Sequence, residues 1–468
     1  MKIQYSPRLM ANVMELLLLV FGAGSVAQTG ASEPRWETFV EQPVWLGEPP
    51  SVALTAELAD SASVELAPVP GAASTGLSID TSNREAVREF YNNLYGLSDI
   101  VAMSWTGNRD TCTAGGTSAP FKEAVLLRIN WLRALAGVPA DVSFDNTYNL
   151  QNQQAALVMS SNNQLSHTPP SNWHCWTQTA FDAAGKSNIA LGLSGPNAIN
   201  AYIRDNGSNN AAVGHRRWIF YPQTRFMGTG DLPTGTYLGG TAYAANALRT
   251  IDMSSISNPR PAVRDDFVAW PPKGFVPYPL VFGRWSFSYP GANFSQASVT
   301  VSQSGVNIPA SVVPPQNGYG ENTLVWLLQG TTEATQWQRP TSDLTYNVTV
   351  GNVLVNAVAR NFSYAVTVFD PATSTASAPI CTLSAAPTTI RKGITATLTA
   401  ICTPTATSYV WQDSACADLV TATCTVHPAV TTRYSVIGSN NNVPGPAATA
   451  TVTVKPVGLI PILMLLLD

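Results

Sequence analysis

The chain has 468 residues, and only 12% of them carry charge, compared with about 25% in an average soluble domain. With 45% hydrophobic residues it can bury a core, and its length predicts two to four domains at about 100 to 200 residues each. A formal net charge of -4 excludes a polycationic protein that holds nucleic acid through its phosphates.

The first 27 residues have the pattern of a secretory signal peptide. Lys2 and Arg8 precede an apolar run at 16–21, and small residues at 22–27 provide a cleavage site. We therefore predict cleavage after Ala27 and a secreted, extracellular protein. The alternative is a retained membrane anchor. Glu15 disfavours the anchor because it leaves the apolar stretch shorter than the about 20 residues of a membrane-spanning helix.

The segment that follows is acidic and has no sustained periodicity. Residues 28–84 hold eight acidic side chains and two basic ones, with frequent Pro and Ala. Such a composition is typical of disordered chain, because it offers little apolar surface to bury. We therefore predict an acidic disordered leader over residues 28–80.

Helical periodicity dominates the next region, which we predict to be one domain over residues 81–252. Helices are predicted after the capping residues 81–83 and at 118–136, 146–160 and 196–203. Ser118 is a good N-terminal cap for the second of them, and Gly137 ends it. Asp205 is expected in the last turn of the fourth, where its charge opposes the helix dipole, so a cationic neighbour is expected beside it.

Alternating patterns replace helical ones after about residue 252. Trp285, Phe287 and Tyr289 alternate with serines, which predicts a half-buried strand. Ser304-Gly305 and Gly351-Asn352 lie between alternating runs and predict hairpin turns. Residues 256–370 are thus predicted to form a β-sandwich, and residues 379–455 a second, immunoglobulin-like one. The apolar residues 456–468 are interpreted either as a remnant of a C-terminal sorting or anchoring tail, which would attach the protein to a cell surface, or as a last buried strand.

The even number of cysteines agrees with an oxidising compartment. The six are Cys112, Cys175, Cys381, Cys402, Cys416 and Cys424. If pairing stays inside each predicted domain, Cys112 bonds Cys175. The last four allow three connectivities, and the short loop between Cys416 and Cys424 makes these two the easiest local pair.

Two histidines stand in unusual sequence contexts: His167 in Leu-Ser-His-Thr-Pro-Pro and His215 in Val-Gly-His-Arg-Arg-Trp. Between them lies Gly-Lys-Ser-Asn-Ile-Ala at 185–190. The order of helices, Ser-His, this motif, helix, Gly-His-Arg and Met-Gly-Thr-Gly resembles the CAP superfamily of cysteine-rich secretory, antigen 5 and pathogenesis-related 1 proteins, particularly its secreted bacterial members. The resemblance implies an α-β-α sandwich.

The CAP resemblance also implies a cleft that gathers two histidines and two acids. By position, His167 and His215 match the histidines and Asp205 falls near one acid, whereas Ser187 replaces the glutamate of the other. The expected fold is therefore α+β: an α-β-α sandwich CAP domain followed by two β-sandwich (Ig-like) domains.

Two functions follow from this resemblance. The preferred one is a non-enzymatic extracellular binding module that takes a lipid, sterol or cell-wall ligand in the histidine cleft, with the β-domains as spacers. The alternative is a metal-dependent esterase or peptidase that holds zinc through His167, His215 and Asp205. Neither needs a nucleotide, and the chain has no phosphate-binding or dinucleotide-binding fingerprint.

Overall fold

A computed structural model describes residues 44–51, 76–99, 101–441 and 443–455. The predicted signal peptide and the apolar C-terminal tail lie outside these residues. The chain divides into two compact units, with the division between Ala372 and Thr373. None of the helices in the described ranges combines the length and apolar character that a membrane-spanning helix needs.

Among the described residues, the α-helices all belong to the first unit. They are α1 (Arg84–Phe90), α2 (Ala119–Ala136), α3 (Asn146–Asn162), α4 (Gln178–Ala184), α5 (Gly195–Arg204) and α6 (Gly214–Ile219). The predicted ends of α2 are confirmed: the Ser118 hydroxyl accepts from the Phe121 amide, and Gly137 ends the helix with a φ of 82°. The cap of α3 is Asp145, one residue before the predicted start.

The first seven strands also lie in this helical region. They are β1 (Trp45–Leu46), β2 (Ser143–Phe144), β3 (Ser187–Leu191), β4 (Phe226–Leu232), β5 (Gly235–Tyr237), β6 (Gly240–Ala242) and β7 (Ala245–Arg249). Five of them form one sheet in the order β1-β3-β7-β4-β2. Its pairings are antiparallel except for the parallel pairing of β2 with β4. The hairpin of β5 and β6 lies outside this sheet.

Helices cover both faces of the five-stranded sheet. Ile189, Ala247 and Leu232 share a core cluster with residues of α3 and α4. Ala190 and Leu248 belong to a different cluster, with residues of α2 and α5. Successive strand residues alternate between faces, so the two clusters lie on opposite sides of the sheet.

The remaining strands of the first unit form two further sheets. They are β8 (Val268–Trp270), β9 (Gly274–Pro277), β10 (Arg284–Ser288), β11 (Ser298–Gln303), β12 (Val306–Ile308), β13 (Ala310–Val313), β14 (Thr323–Leu328), β15 (Leu344–Val355) and β16 (Val358–Phe369). The sheet orders are β13-β14-β10-β8 and β12-β11-β15-β16-β9. Aromatic side chains from both sheets pack together, for example Trp285 against Tyr346 with ring centroids 5.5 Å apart.

Two predictions for this β-region were wrong in detail. Strand β10 is buried on both faces. The Ser286 hydroxyl accepts from the Arg216 Nη1 group of the helical region at 3.0 Å, and the Ser288 hydroxyl lies 2.8 Å from that of Thr323 in β14. The expected hairpin at Gly351-Asn352 is a shift of register within the long strand β15, between Val350 and Val353. By contrast, the predicted turn at Ser304-Gly305 joins β11 to β12.

The expected division near residues 252–256 does not separate two units. One hydrophobic cluster runs from Leu77 to Phe369 and includes side chains from α2, α5 and both sheets of the β-region. The Phe220 and Trp270 rings, for example, join the two regions with centroids 5.1 Å apart. The helical and β-regions therefore share one core.

The prediction of a disordered leader was wrong for two described stretches. Leu77 and Ile79 are buried in the shared core. In residues 44–51, β1 adds to the edge of β3, and Pro49 and Pro50 are buried. The acidic average of the whole leader concealed these short apolar pieces, each long enough to pack on an existing surface.

The second unit is a sandwich of two sheets. Its strands are β17 (Ile380–Ala386), β18 (Thr389–Arg391), β19 (Ala396–Thr403), β20 (Ser408–Trp411), β21 (Thr423–Val426), β22 (Thr432–Asn440), β23 (Val443–Pro444) and β24 (Ala448–Lys455). Strands β17, β19 and β21 form one sheet and the others form the second. Its separate core includes Leu398, Trp411 and Val436.

The structure assigns all six cysteines to disulfides. Cys112 bonds Cys175 in the first unit, as the sequence predicted. In the second unit, Cys416 bonds Cys424 and Cys381 bonds Cys402. Of the three connectivities open for the last four cysteines, the one with the short local loop is present.

Candidate functional site

Asp205 and His215 form a buried pair where α5 meets α6. The Asp205 carboxylate lies 2.8 Å from His215 Nδ1 and accepts the Arg216 amide at 3.2 Å. Both side chains of the pair are 0% exposed. The sequence predicted Asp205 in the last turn of α5. Instead, Asp205 follows that turn and caps the helix in a left-handed conformation with φ of 54°.

Cationic groups surround Asp205, as its position at a helix end requires. The Arg284 Nη1 group donates to the Asp205 carbonyl at 2.6 Å. The Arg216 guanidinium is also buried and interacts electrostatically with the Asp205 carboxylate. Burial lowers the pKa of Arg216, and the Asp205 charge opposes that change.

The His215 ring is held from a second side by stacking. Its centroid lies 5.3 Å from that of Tyr202, with 21° between the ring planes. The Asn188 amide donates to the His215 carbonyl at 3.2 Å. Within the described residues, His215 Nε2 and Asn188 Oδ1 are buried and have no hydrogen-bond partner. Asp205 and Tyr202 therefore fix the His215 ring, and its Nε2 atom is left without a hydrogen bond.

A polar network that the sequence analysis missed continues from Tyr202 across the sheet. The Tyr202 hydroxyl donates to Asn246 Oδ1 at 2.9 Å, and Asn246 Nδ2 donates to Asp231 Oδ1 at 2.8 Å. Asp231 also accepts from the Thr229 hydroxyl at 2.6 Å and from the Gly195 amide. Burial raises the pKa of Asp231, although these hydrogen bonds oppose the rise. The available signal in the sequence was an acidic residue directly after Met-Gly-Thr-Gly.

Ser187 lies on the other side of the sheet from His215. It is fully buried, and its hydroxyl donates to the Ala183 carbonyl at 2.7 Å and to Asn152 Oδ1 at 3.3 Å. Its neighbour Asn188 contacts His215, and adjacent residues of a strand point to opposite faces. The expectation that Ser187 joins the histidine cleft was therefore wrong.

His167 is also separate from the buried pair. It follows α3 and is half-buried, with Nδ1 2.7 Å from the Ala184 carbonyl and Nε2 close to the Glu48 carbonyl. Both ring nitrogens are thus engaged by backbone oxygens. The structure brings Asp205 and His215 together but does not add His167 to them.

The predicted zinc ligands do not form a metal site. In the part of the chain that the structure describes, only Cys112, His174 and Cys175 bring three ligand atoms within 4.8 Å of one another. The two cysteine sulfurs are bonded to each other, so they provide no thiolate for a metal. The donor set His167, His215 and Asp205 does not fit a zinc ion, and we derive no chemistry from one.

Residues 44–51, which we call the N-terminal segment, cover the start of α6. A Cβ atom on Gly214 would lie 2.4 Å from Pro49 Cγ and 3.0 Å from Tyr319 Cγ. The Trp218 indole donates to the Pro50 carbonyl at 2.6 Å. The N-terminal segment therefore contacts α6 on both sides of His215 in sequence, at Gly214 and at Trp218.

Comparison with known proteins decides the family of this region. Residues 126–239 match the family model described as "CAP: Cysteine-rich secretory protein family". Residues 126–239 are a CAP-family region. The matched CAP region contains both predicted histidines, Ser187 and Asp205, and the resemblance predicted from the sequence is confirmed.

Other comparisons add little to this assignment. No curated protein matches the chain. Solved structures that match include the amphioxus IgVJ-C2 molecule (12% identity, 38% of this chain and 100% of that one, TM-score 0.17). They also include the mouse nectin-like molecule 4 ectodomain (12% identity, 48% and 82%, TM-score 0.19) and the Ig1-2 module of the Drosophila receptor protein tyrosine phosphatase DLAR (15% identity, 39% and 94%, TM-score 0.14). Such low TM-scores carry no argument about this chain.

Proposed function

We propose that this protein is an extracellular, non-catalytic binding protein in which the CAP domain receives the ligand and the β-sandwiches act as spacers. The CAP-family region supports an extracellular role. Three disulfides agree with an oxidising compartment. Attachment to a cell surface through the C-terminal tail is part of the same proposal.

The observation that carries this proposal is the complete burial of the Asp205–His215 pair without a third functional group. A general base must reach the proton that it removes from a substrate. Here both side chains are 0% exposed, His167 is engaged by backbone oxygens, and Ser187 lies on the opposite face of the sheet. The arrangement supports a structural role for the pair and a binding role for the surface above it.

Family resemblance leaves the ligand open among lipids, sterols and cell-wall components. All three would reach the CAP domain near His167 and the start of α6, where the family cleft is expected. Neither a nucleotide nor nucleic acid is required.

One experiment separates binding from hydrolysis. The full chain is purified from culture medium, its zinc content is measured, and bound molecules are extracted for mass spectrometry. Ester and peptide hydrolysis is assayed with and without added zinc. We expect a bound ligand, no stoichiometric zinc and no hydrolysis above background.

The matched variants are His215→Ala and His427→Ala, the second in an exposed strand end of the distal unit. Zinc-dependent hydrolysis that disappears in His215→Ala but persists in His427→Ala would show that the protein is the alternative enzyme. Equal background rates in all three proteins support the binding function.

A further inference from the structure

The N-terminal segment is held by the CAP domain as an added strand. Trp45 pairs with Leu191 and Leu46 with Ala190 in antiparallel register. One residue on, the Gly47 amide donates to the Ile189 carbonyl at 3.0 Å. A side chain at position 47 has no room, because a Cβ atom would lie 2.6 Å from Ile189 Cγ1.

Beyond Gly47 the segment leaves the strand edge and is held by side-chain donors. His167 contacts the Glu48 carbonyl, and Trp218 donates to the Pro50 carbonyl. Pro49 is buried against Gly214, where only the absence of a side chain permits the contact. The Glu48 residue itself is exposed.

These contacts recognise an extended main chain that has a glycine and two prolines at fixed positions. Strand addition uses main-chain hydrogen bonds, and proline recognition uses aromatic side chains such as an indole N–H donating to a carbonyl. Both modes occur in eight residues here. Trp218, which donates to Pro50, packs edge-on against Tyr221 with centroids 5.8 Å apart, and Tyr319 belongs to the same cluster and lies beside Gly214.

We propose that this surface is a binding site for an extended polypeptide of the pattern Leu-Gly-x-Pro-Pro, and that the N-terminal segment is its intramolecular occupant. We call it the segment site, formed by the edge of β3 with His167, Gly214 and Trp218. A protein partner that carries the same pattern displaces the segment. This inference rests on the proposed binding function and names a polypeptide as the ligand class.

Tethering explains how the segment competes with a partner. Residues 52–75 join it to the rest of the chain. Because the segment and its site belong to one chain, their association is intramolecular, and the segment has a high effective concentration at the site. Binding of a free peptide that makes the same contacts is therefore weakened in the wild-type protein. A substitution that loosens the segment should make this binding measurable.

The test uses the full chain and a fluorescent peptide with the sequence of residues 44–51. Gly47→Val weakens the tethered segment through the clash with Ile189 and leaves the segment site intact. We expect this variant to bind the peptide at least about tenfold tighter than the wild type, in fluorescence anisotropy, because the competitor is removed. Gly116→Val, at a glycine with no heavy atom within 4 Å, is the matched control and should bind as the wild type does.

Two further reagents test specificity. Adding Gly214→Val to Gly47→Val blocks the place of Pro49 and should abolish binding. A peptide with both prolines replaced by alanine should bind at least about tenfold more weakly. Equal binding of the two peptides, or no binding to a folded Gly47→Val protein, overturns the proposal.

A second measurement covers the case in which Gly47→Val does not fold. Hydrogen exchange of residues 44–51 in the wild type is followed at millimolar peptide, where loss of protection supports displacement and unchanged protection overturns it. Mass spectrometry of the same peptide distinguishes the two proposals. A cleaved peptide would refute the non-catalytic function, whereas a bound lipid without peptide binding would refute only the segment site.

Discussion

Asp205 joins two helix ends through one carboxylate. It accepts hydrogen bonds from the His215 ring and from the Arg216 amide, and its carbonyl accepts from Arg284. The His215 ring and the Arg216 amide are buried and would lose this partner if the carboxylate were removed, whereas the carbonyl would remain for Arg284. A buried polar group without a partner costs roughly 1 to 3 kcal/mol.

We therefore expect Asp205→Ala to lower the free energy of unfolding of the first unit by about 3 kcal/mol. Urea denaturation followed by tryptophan fluorescence measures this loss. Asp182→Ala, which removes an exposed carboxylate from α4, should change it by less than about 0.5 kcal/mol. Similar losses in the two variants would contradict the central position of Asp205.

Asp231 makes the stability of the first unit depend on pH. Burial raises its pKa above the usual value of 3.8, so the folded state holds the proton more tightly than the unfolded chain. Stability is highest below the unfolded pKa and falls as pH rises through the raised, folded pKa. Asp231→Asn removes this titration.

The wild type should accordingly gain stability relative to Asp231→Asn when the pH is lowered from 7 to 4. Denaturation curves at both pH values give the difference in free energy of unfolding between the wild type and Asp231→Asn, and this difference should change with pH. Asp110→Asn, at an exposed position, is the control. A constant difference between wild type and Asp231→Asn would show that the buried carboxyl does not titrate differently on unfolding.

At the level of single residues, the sequence predicted one half of the site. His215 and Asp205 were identified through the Gly-His-Arg motif and the helix end, and they do meet. Ser187 was matched to the cleft by its position in the family motif, but in β3 its side chain points away from the face on which Asn188 contacts His215. The contacts of His167 depend on Glu48, in a segment whose average composition concealed its packing.

The glycines of β4 determine how closely α3 approaches the sheet. A Cβ atom on Gly230 would lie 2.1 Å from the Asn152 carbonyl oxygen. That neighbour is backbone, which has no rotamer with which to move away. The Met-Gly-Thr-Gly sequence is therefore a packing requirement of this helix and strand.

Gly230→Ala should destabilise the first unit by about 3 kcal/mol, at the upper end of the range for overpacked cores. Thermal unfolding by circular dichroism measures the change. Gly116→Ala introduces the same methyl group at an open position and should have almost no effect. Equal melting temperatures for the two variants would contradict the close approach of α3 to β4.

Elements with strong local signals were predicted better than elements defined by distant contacts. Helix α2 has a serine cap, one apolar stripe and a terminal glycine, and its ends were predicted to within a residue. The sequence predicted a half-buried β10 because its serines are polar, yet Arg216, from a helix far away in sequence, donates to Ser286, and Thr323 of β14 pairs with Ser288. Only the tertiary partner explains that burial.

At the scale of the whole molecule, two compact units replace the three predicted domains. One hydrophobic cluster of the first unit extends from Leu77 to Phe369, and the distal sandwich has a cluster of its own. Composition marked the boundary near residue 372, where Thr, Ser and Ala become frequent. The change from helical to alternating pattern near residue 252 marked a change of secondary structure but not of core.

Scanning calorimetry should therefore show two transitions, one for each unit. Trp270→Ala, in the first core, should lower the first unit's transition temperature, and Trp411→Ala, in the second core, should lower only the other. Each truncation removes about 3 to 5 kcal/mol of stability. A single transition that both variants shift would indicate one cooperative unit instead.

The N-terminal segment also has a consequence for the order of folding. Its contacts join residues far apart in sequence, with separations of 119 for Glu48 and His167 and 168 for Pro50 and Trp218. It can dock only after β3 and α6 have formed, so its contacts are absent from the folding transition state. In stopped-flow measurements, Gly47→Val should speed unfolding and leave the refolding rate unchanged. Residues 44–51 are thus synthesised before the strand and the helix that hold them, but they dock only after both have formed.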